Sequence, residues 1–168
     1  QHSLVPYAAQ PGLVVLRSLG KFFGLAGARV GFVFAPDALL AALRERLGPW
    51  PLSHPSRLAA LRALADTGWQ QQQRAQLPPQ SSRLALLLAQ HGLSPTGGCA
   101  LFQWIHTPAA GVIHRELAAQ GILTRLYHEP ASLRFGLPAS EPEWRRLALA
   151  LATLVLPPPA DPATVRAL

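Results

Sequence analysis

The sequence predicts a mixed α/β fold, and two stretches carry that prediction. Residues 13–35 read as an apolar strand, an exposed polar turn, a glycine-loosened return and a second apolar strand. Residues 100–156 read in the order β-α-β-β-α, which suits helices laid against a sheet as an α+β layer. Between them lies a largely helical segment.

Residues 1–12 read as a loop, or the end of a helix, feeding the first strand. Leu13-Val14-Val15-Leu16 is β-branched enough to form a buried strand. Ser18, Gly20 and Lys21 break that run. Gly24, Gly27 and Gly31 follow, with Arg29 between the last two, and the second apolar run at 30–35 ends at Pro36. Pro36-Asp37 starts a helix over 38–47, with apolar positions 39, 40, 43 and 47 on one face. Gly48-Pro49-Trp50-Pro51 stops it, and Leu52-Ser53-His54-Pro55 reads as an extended linker.

Ser56 is expected to cap a helix to about Asp66, with Leu58, Leu61, Leu64 and Ala65 as its apolar side. Thr67-Gly68 interrupts it. A long helix over 69–91 carries the glutamines 70–73 on a solvated face and is expected to kink at Pro78-Pro79. Gly92 ends it, residues 93–98 form a turn, and 100–106 form a strand. The helix over 108–120 turns Val112, Ile113, Leu117 and Ala118 inward and stops at Gly121. Strands at 122–126 and 132–137 come next. Ser140 and Glu143 form a capping-box pattern opening a last helix to about Leu156. Pro157-Pro158-Pro159 ends structure, leaving a loose tail over 157–168.

Composition narrows the chemistry. The 168 residues carry a net charge of +7, almost all of it from arginine, since Lys21 is the single lysine. The arginines are spread from Arg17 to Arg166, and only Arg145-Arg146 adjoin, so a generic basic surface fits better than a nucleic-acid face. Cys99 is alone, which excludes an internal disulfide and points to a reducing, cytoplasmic compartment. No uninterrupted apolar run reaches membrane-spanning length. The histidines and Cys99 show no metal-ligand spacing. There is no methionine, so Gln1 does not read as a natural start.

Residue types around Lys21 suit aldehyde and phosphate chemistry. A lysine amine condenses with an aldehyde only when neutral, and burial or a nearby cation favours that form. Lys21 lies between Leu19 and Phe22-Phe23, with Arg17 and Arg29 close in sequence. Ser18 and Arg29 offer a hydroxyl and a guanidinium for a phosphate. On spacing alone, Lys21 could equally be a charged residue ending a strand.

The pattern Ser18-x-x-Lys21-x-x-Gly24-Leu25-Ala26-Gly27-x-Arg29-x-Gly31 resembles the lysine segment of fold-type I pyridoxal-phosphate enzymes. Within them it is similar to the branch of histidinol-phosphate aminotransferases and the threonine-phosphate decarboxylases of cobalamin biosynthesis. The texture of Leu16-Arg17-Ser18-Leu19, of Gly48-Pro49-Trp50-Pro51 and of Leu133-Arg134-Phe135-Gly136-Leu137-Pro138 favours the decarboxylases. The resemblance implies pyridoxal 5'-phosphate as cofactor, Lys21 as the catalytic residue that carries it, and Ser18 and Arg29 as further cofactor-binding residues. It implies the end of a large α/β domain over 1–55, connecting helices over 56–91, and a small α+β domain over 92–156. Such enzymes are considerably longer. The aspartate for the pyridinium nitrogen, the glycine-rich phosphate cradle and the ring-stacking aromatic are therefore expected upstream of Gln1, and the chain alone is expected to be inert.

Arg125 and Arg134 each fall in a short apolar strand, where an unpaired guanidinium is costly. Two such groups could clamp an anion by bidentate hydrogen bonds, or could be edge-strand arginines facing water. Their segments resemble the two substrate-anion arginine segments of the same branch, which implies substrate binding; His128 reads as a loop residue. The implied function is decarboxylation of L-threonine O-3-phosphate to aminopropanol phosphate, in a cytoplasmic homodimer with no nucleic-acid or membrane partner. An aminotransferase of the histidinol-phosphate type is the first alternative, and a non-catalytic basic interaction module the second.

Overall fold

The computed structural model describes residues 3–155; the tail expected at 157–168 lies outside them. The chain divides after Gln73 into two compact units. That division falls inside the segment expected to be connecting helices.

In the first unit a short 3₁₀ turn, Val5–Tyr7, precedes an antiparallel two-stranded ribbon. Its strands are β1 (Val15–Ser18) and β2 (Gly31–Phe34), with Val15 opposite Phe34 and Ser18 opposite Gly31. The first strand thus starts two residues into the apolar run and takes in Arg17 and Ser18. It is also not buried among the described residues, Leu16 being 71 % exposed. Apolar sequence marks residues that favour burial, but pairing with β2 sets the ladder.

Helix α1 (Asp37–Leu47) forms where expected, although none of its residues is buried. Helix α2 (His54–Ala65) begins earlier than the sequence suggested, and Ser53-His54 is no linker. Ser53, not Ser56, is the N-cap: its Oγ accepts the Ser56 backbone N–H at 3.3 Å. Pro55 fits because a first-turn residue needs no N–H partner. The small apolar cluster of this unit gathers Leu19, Val30 and Ala60, with Phe23, Leu25, Phe32 and Leu52 against them.

The interruption expected at Thr67-Gly68 falls one residue earlier, at Asp66, where α2 ends and helix α3 (Thr67–Gln90) begins; Asp66 Oδ1 caps the new helix by accepting the Trp69 N–H at 2.9 Å. Helix α3 runs through Pro78 and Pro79 without a break. Neither proline can donate to the carbonyl four residues back, at Arg74 and Ala75. The two units divide at that same turn.

The second unit holds a four-stranded antiparallel sheet of order β3-β4-β6-β5. Its strands are β3 (Gly97–Cys99), β4 (Phe102–His106), β5 (Arg125–Tyr127) and β6 (Ser132–Gly136). β3 occupies what the sequence suggested was a turn. α4 (Ala110–Ala119) and α5 (Glu141–Ala152) complete the unit. The inward side of α4 is Ala110, Ile113 and Leu117, while Val112 and Ala118 are exposed, because i, i+3, i+7 spacing marks one face. At α5 the capping box does not form: the Ser140 side chain caps nothing, and Glu143 Oε2 accepts the N–H of Ala139, one residue before the cap, at 2.6 Å.

Leu84 and Leu88 of α3, Ile113 and Leu117 of α4, and Trp144, Leu147 and Leu151 of α5 pack with Ile105, Leu133 and Phe135 of the sheet. Strand alternation sends Phe102, Trp104 and His106, Arg134, and Arg125 and Tyr127 to the opposite face. A buried polar knot ties α3 to the sheet: Gln103 Nε2 donates to Ser81 Oγ at 2.8 Å, and Ser81 Oγ donates to the Cys99 carbonyl at 2.9 Å.

A Cβ at Gly98 would meet Gln103 Oε1 and the Phe102 carbonyl oxygen, each at 2.7 Å. The backbone oxygen cannot swing aside, so Gly98→Ala is expected to destabilise the protein by about 1–3 kcal/mol, the usual cost of overpacking. Denaturant unfolding checks this, and an unchanged midpoint would show that β3 shifts freely.

Candidate functional site

Lys21 stands in the connection between β1 and β2. The Leu19 N–H donates to the Val30 carbonyl at 3.3 Å, and the Leu25 N–H donates back to the Leu19 carbonyl at 2.9 Å, closing the neck of the loop. Beyond that neck the Gly24 N–H donates to the Lys21 carbonyl at 3.0 Å, with Gly24 at φ 67°. Positive φ is cheap for glycine, which lets the chain turn back at once. A 3₁₀ turn, Ala26–Ala28, then leads to Arg29, which adopts left-handed geometry at φ 52°.

The turn sorts its side chains sharply. Leu19 is 2 % exposed and anchors the cluster, whereas Ser18, Lys21 and Arg29 all face solvent. The burial that the apolar neighbours suggested for Lys21 is therefore absent from the described residues, because Leu19 takes the inward position. Phe22 and Phe23 are in edge contact at 5.0 Å, and Phe23 stacks on Trp69 at 5.7 Å. Those two rings hold the residues just after Lys21 against the start of α3. Sequence reasoning missed Trp69, which carries no signal of its own inside a helix.

Three polar groups thus share one loop. Ser18 Oγ accepts the Gly20 N–H at 3.4 Å, which leaves its hydroxyl proton for another acceptor. Arg29 Nη1 donates to the Ala26 carbonyl at 3.3 Å, leaving its other donors for an anion. Neither Lys21 nor Arg29 joins an ion pair among the described residues. An amine, a hydroxyl and a guanidinium form a donor set that suits a phosphorylated aldehyde.

In the second unit, Arg125 and Arg134 are direct cross-strand partners. Arg134 lies on the interior strand β6 and is half-buried; Arg125 lies on the edge strand β5 and is exposed. Like charges placed directly opposite repel, so the pair favours a bound anion. Neither guanidinium has a carboxylate partner among the described residues. Each meets a ring instead: Arg134 lies 4.8 Å from the Phe102 centroid and Arg125 lies 5.4 Å from that of Tyr127. The spacing Arg125-x-Tyr127 could have shown the second contact, since alternate strand residues share a face. His128 lies in the turn after β5.

The ion pair that does form is elsewhere on this unit, between Arg83 of α3 and Glu141 of α5. The hydrogen bond from Arg83 holds the Glu141 carboxyl below its ordinary range, and the same bond raises the Arg83 guanidinium. Among the described residues no cluster of His, Cys, Asp and Glu could hold a metal ion, and no helix is long and apolar enough to cross a membrane.

Comparison with known proteins gives a consistent result. The model of the family described as aminotransferase class I and II matches residues 3–152. A threonine-phosphate decarboxylase of Pseudomonas aeruginosa is 53 % identical over 151 residues, covering 90 % of this chain and 46 % of that protein. A histidinol-phosphate aminotransferase of Shewanella amazonensis is 37 % identical over 122 residues, covering 70 % of this chain and 33 % of that protein. The crystal structure of histidinol-phosphate aminotransferase from Sinorhizobium meliloti in complex with pyridoxal-5'-phosphate superposes with a TM-score of 0.72 at 26 % identity, covering 84 % of this chain and 40 % of that one. The chain spans less than half the length of these relatives.

Proposed function

The chain belongs to the aminotransferase class I and II family, and from that membership we propose that it carries the lysine and the substrate-anion arginines of a pyridoxal-phosphate enzyme. We propose further that this enzyme decarboxylates L-threonine O-3-phosphate to aminopropanol phosphate. The observation that carries the choice of reaction is the much higher identity to the threonine-phosphate decarboxylase than to the histidinol-phosphate aminotransferase.

The donor set of the β1–β2 connection fits the cofactor: Lys21 would hold its aldehyde carbon, and Ser18 and Arg29 its phosphate. When bound, pyridoxal phosphate supplies an electron sink for charge left at the substrate α-carbon. Arg134 and Arg125 bind the anionic groups of the substrate and fix its orientation. The carboxyl group leaves as CO₂, and the Lys21 amine is the proton carrier to the α-carbon. Retaining the carboxylate and giving up the amine instead would make the enzyme an aminotransferase.

The resemblance of residues 18–31, with the texture of residues 16–23, 48–51 and 133–138, supports a place in cobalamin biosynthesis and a homodimeric enzyme. The lone Cys99 supports a reducing, cytoplasmic setting. The domain limits 1–55, 56–91 and 92–156 rest on the same resemblance.

Incubating the holoenzyme with L-threonine O-3-phosphate and no 2-oxo acid tests the reaction. CO₂ and aminopropanol phosphate are expected in equal amounts. Turnover that requires a 2-oxo acid and releases no CO₂ would establish the aminotransferase.

A further inference from the structure

We infer that Phe102 and Tyr127 are positioning residues that draw the guanidinium groups of Arg134 and Arg125 apart along the sheet. The inference rests on the proposed role of the two arginines in binding substrate anions. Across β5 and β6 the arginines face each other directly, and Arg134 also faces Trp104 on β4. The two rings lie on opposite sides of that row. Phe102 pairs with Gly136, two residues beyond Arg134, whereas Tyr127 pairs with Ser132, two residues before it.

Each ring attracts the guanidinium nearest to it through its negative face. The contacts of 4.8 Å and 5.4 Å therefore pull the two cations in opposite directions. That relieves their mutual repulsion and limits the rotamers each can adopt before substrate arrives. A long, mobile side chain becomes a handle at a set position, and the spacing of the handles selects the spacing of the anions.

The test is a set of variants of the holoenzyme assayed with L-threonine O-3-phosphate. Phe102→Leu is expected to raise KM about three- to tenfold, the range of one cation–π contact, with kcat nearly unchanged. Phe102→Tyr and Tyr127→Phe, which keep their rings, are expected to behave as wild type. Combined with Arg134→Ala, Phe102→Leu should add nothing, because the group it positions is gone. As a readout independent of turnover and of those variants' folding, the Arg134 side-chain Nε–H proton of wild type should resonate upfield from the Phe102 ring current.

If Arg134→Ala raises KM while Phe102→Leu matches wild type, or if the two effects simply add, the positioning role is wrong and the arginine reading survives. The positioning role is equally wrong if the Nε–H proton lies at its ordinary shift. If Arg134→Ala itself leaves KM unchanged, the arginine reading fails and takes this inference with it.

Discussion

Replacing Lys21 by alanine is expected to abolish covalent attachment of pyridoxal phosphate and with it turnover. No other side chain in these 168 residues carries a primary amine, so nothing else in them can substitute. Loss of proton transfer alone would lower the rate by about 10²–10⁴-fold, before any loss of cofactor is counted. Lys21→Arg tests whether positive charge alone can serve at this position. Arginine keeps the positive charge but is not deprotonated in proteins and makes no bond to an aldehyde, so it should fail as completely as alanine. The measurements are the near-visible absorbance of the bound cofactor and peptide mapping after borohydride reduction. Label recovered at any group other than Lys21 would remove this residue from the centre of the chemistry. Because Lys21 faces solvent and Leu19 does the packing, Lys21→Ala should leave folding untouched.

Spacing revealed the lysine turn but not how its side chains divide between core and solvent. Ser18, Lys21, Arg29 and the glycines could be read directly as a polar turn between strands. The inward position of Leu19 depends on Val30 and Ala60, the latter from a helix well downstream, so no local pattern shows it. The arginine pair follows the same logic. β6 was legible, whereas β5 starts three residues later than the 122–126 expected; the pairing of Arg125 with Arg134 depends on register, which the whole sheet sets. β3 escaped because Gly97-Gly98 has little strand propensity. It forms through pairing with β4, in space that Gln103 leaves only for a glycine at position 98. Pro55 misled, since it looked like linker and sits in the first turn of α2, where its missing N–H costs nothing. Pro78-Pro79, expected to kink the long helix, lies inside continuous α3.

Arg134→Ala is expected to be the more damaging of the two arginine substitutions. Arg134 is half-buried on an interior strand, where charges are less screened than on the exposed edge strand that carries Arg125. Removing one partner of a buried, hydrogen-bonded charge pair costs roughly 2–5 kcal/mol, much of it from the anion left without its cation. That loss should fall on substrate binding, with cofactor affinity nearly unchanged, because Ser18, Lys21 and Arg29 lie in a different compact unit. Arg134→Lys keeps the charge but loses the planar fork, so it should recover only part of the affinity. Arg125→Ala should act in the same direction, more strongly on phosphorylated than on unphosphorylated substrates, and its effect should shrink as salt is added. Steady-state kinetics at low and high ionic strength measure all three variants. Wild-type KM and kcat in both alanine variants would mean that these two guanidinium groups face only water and each other.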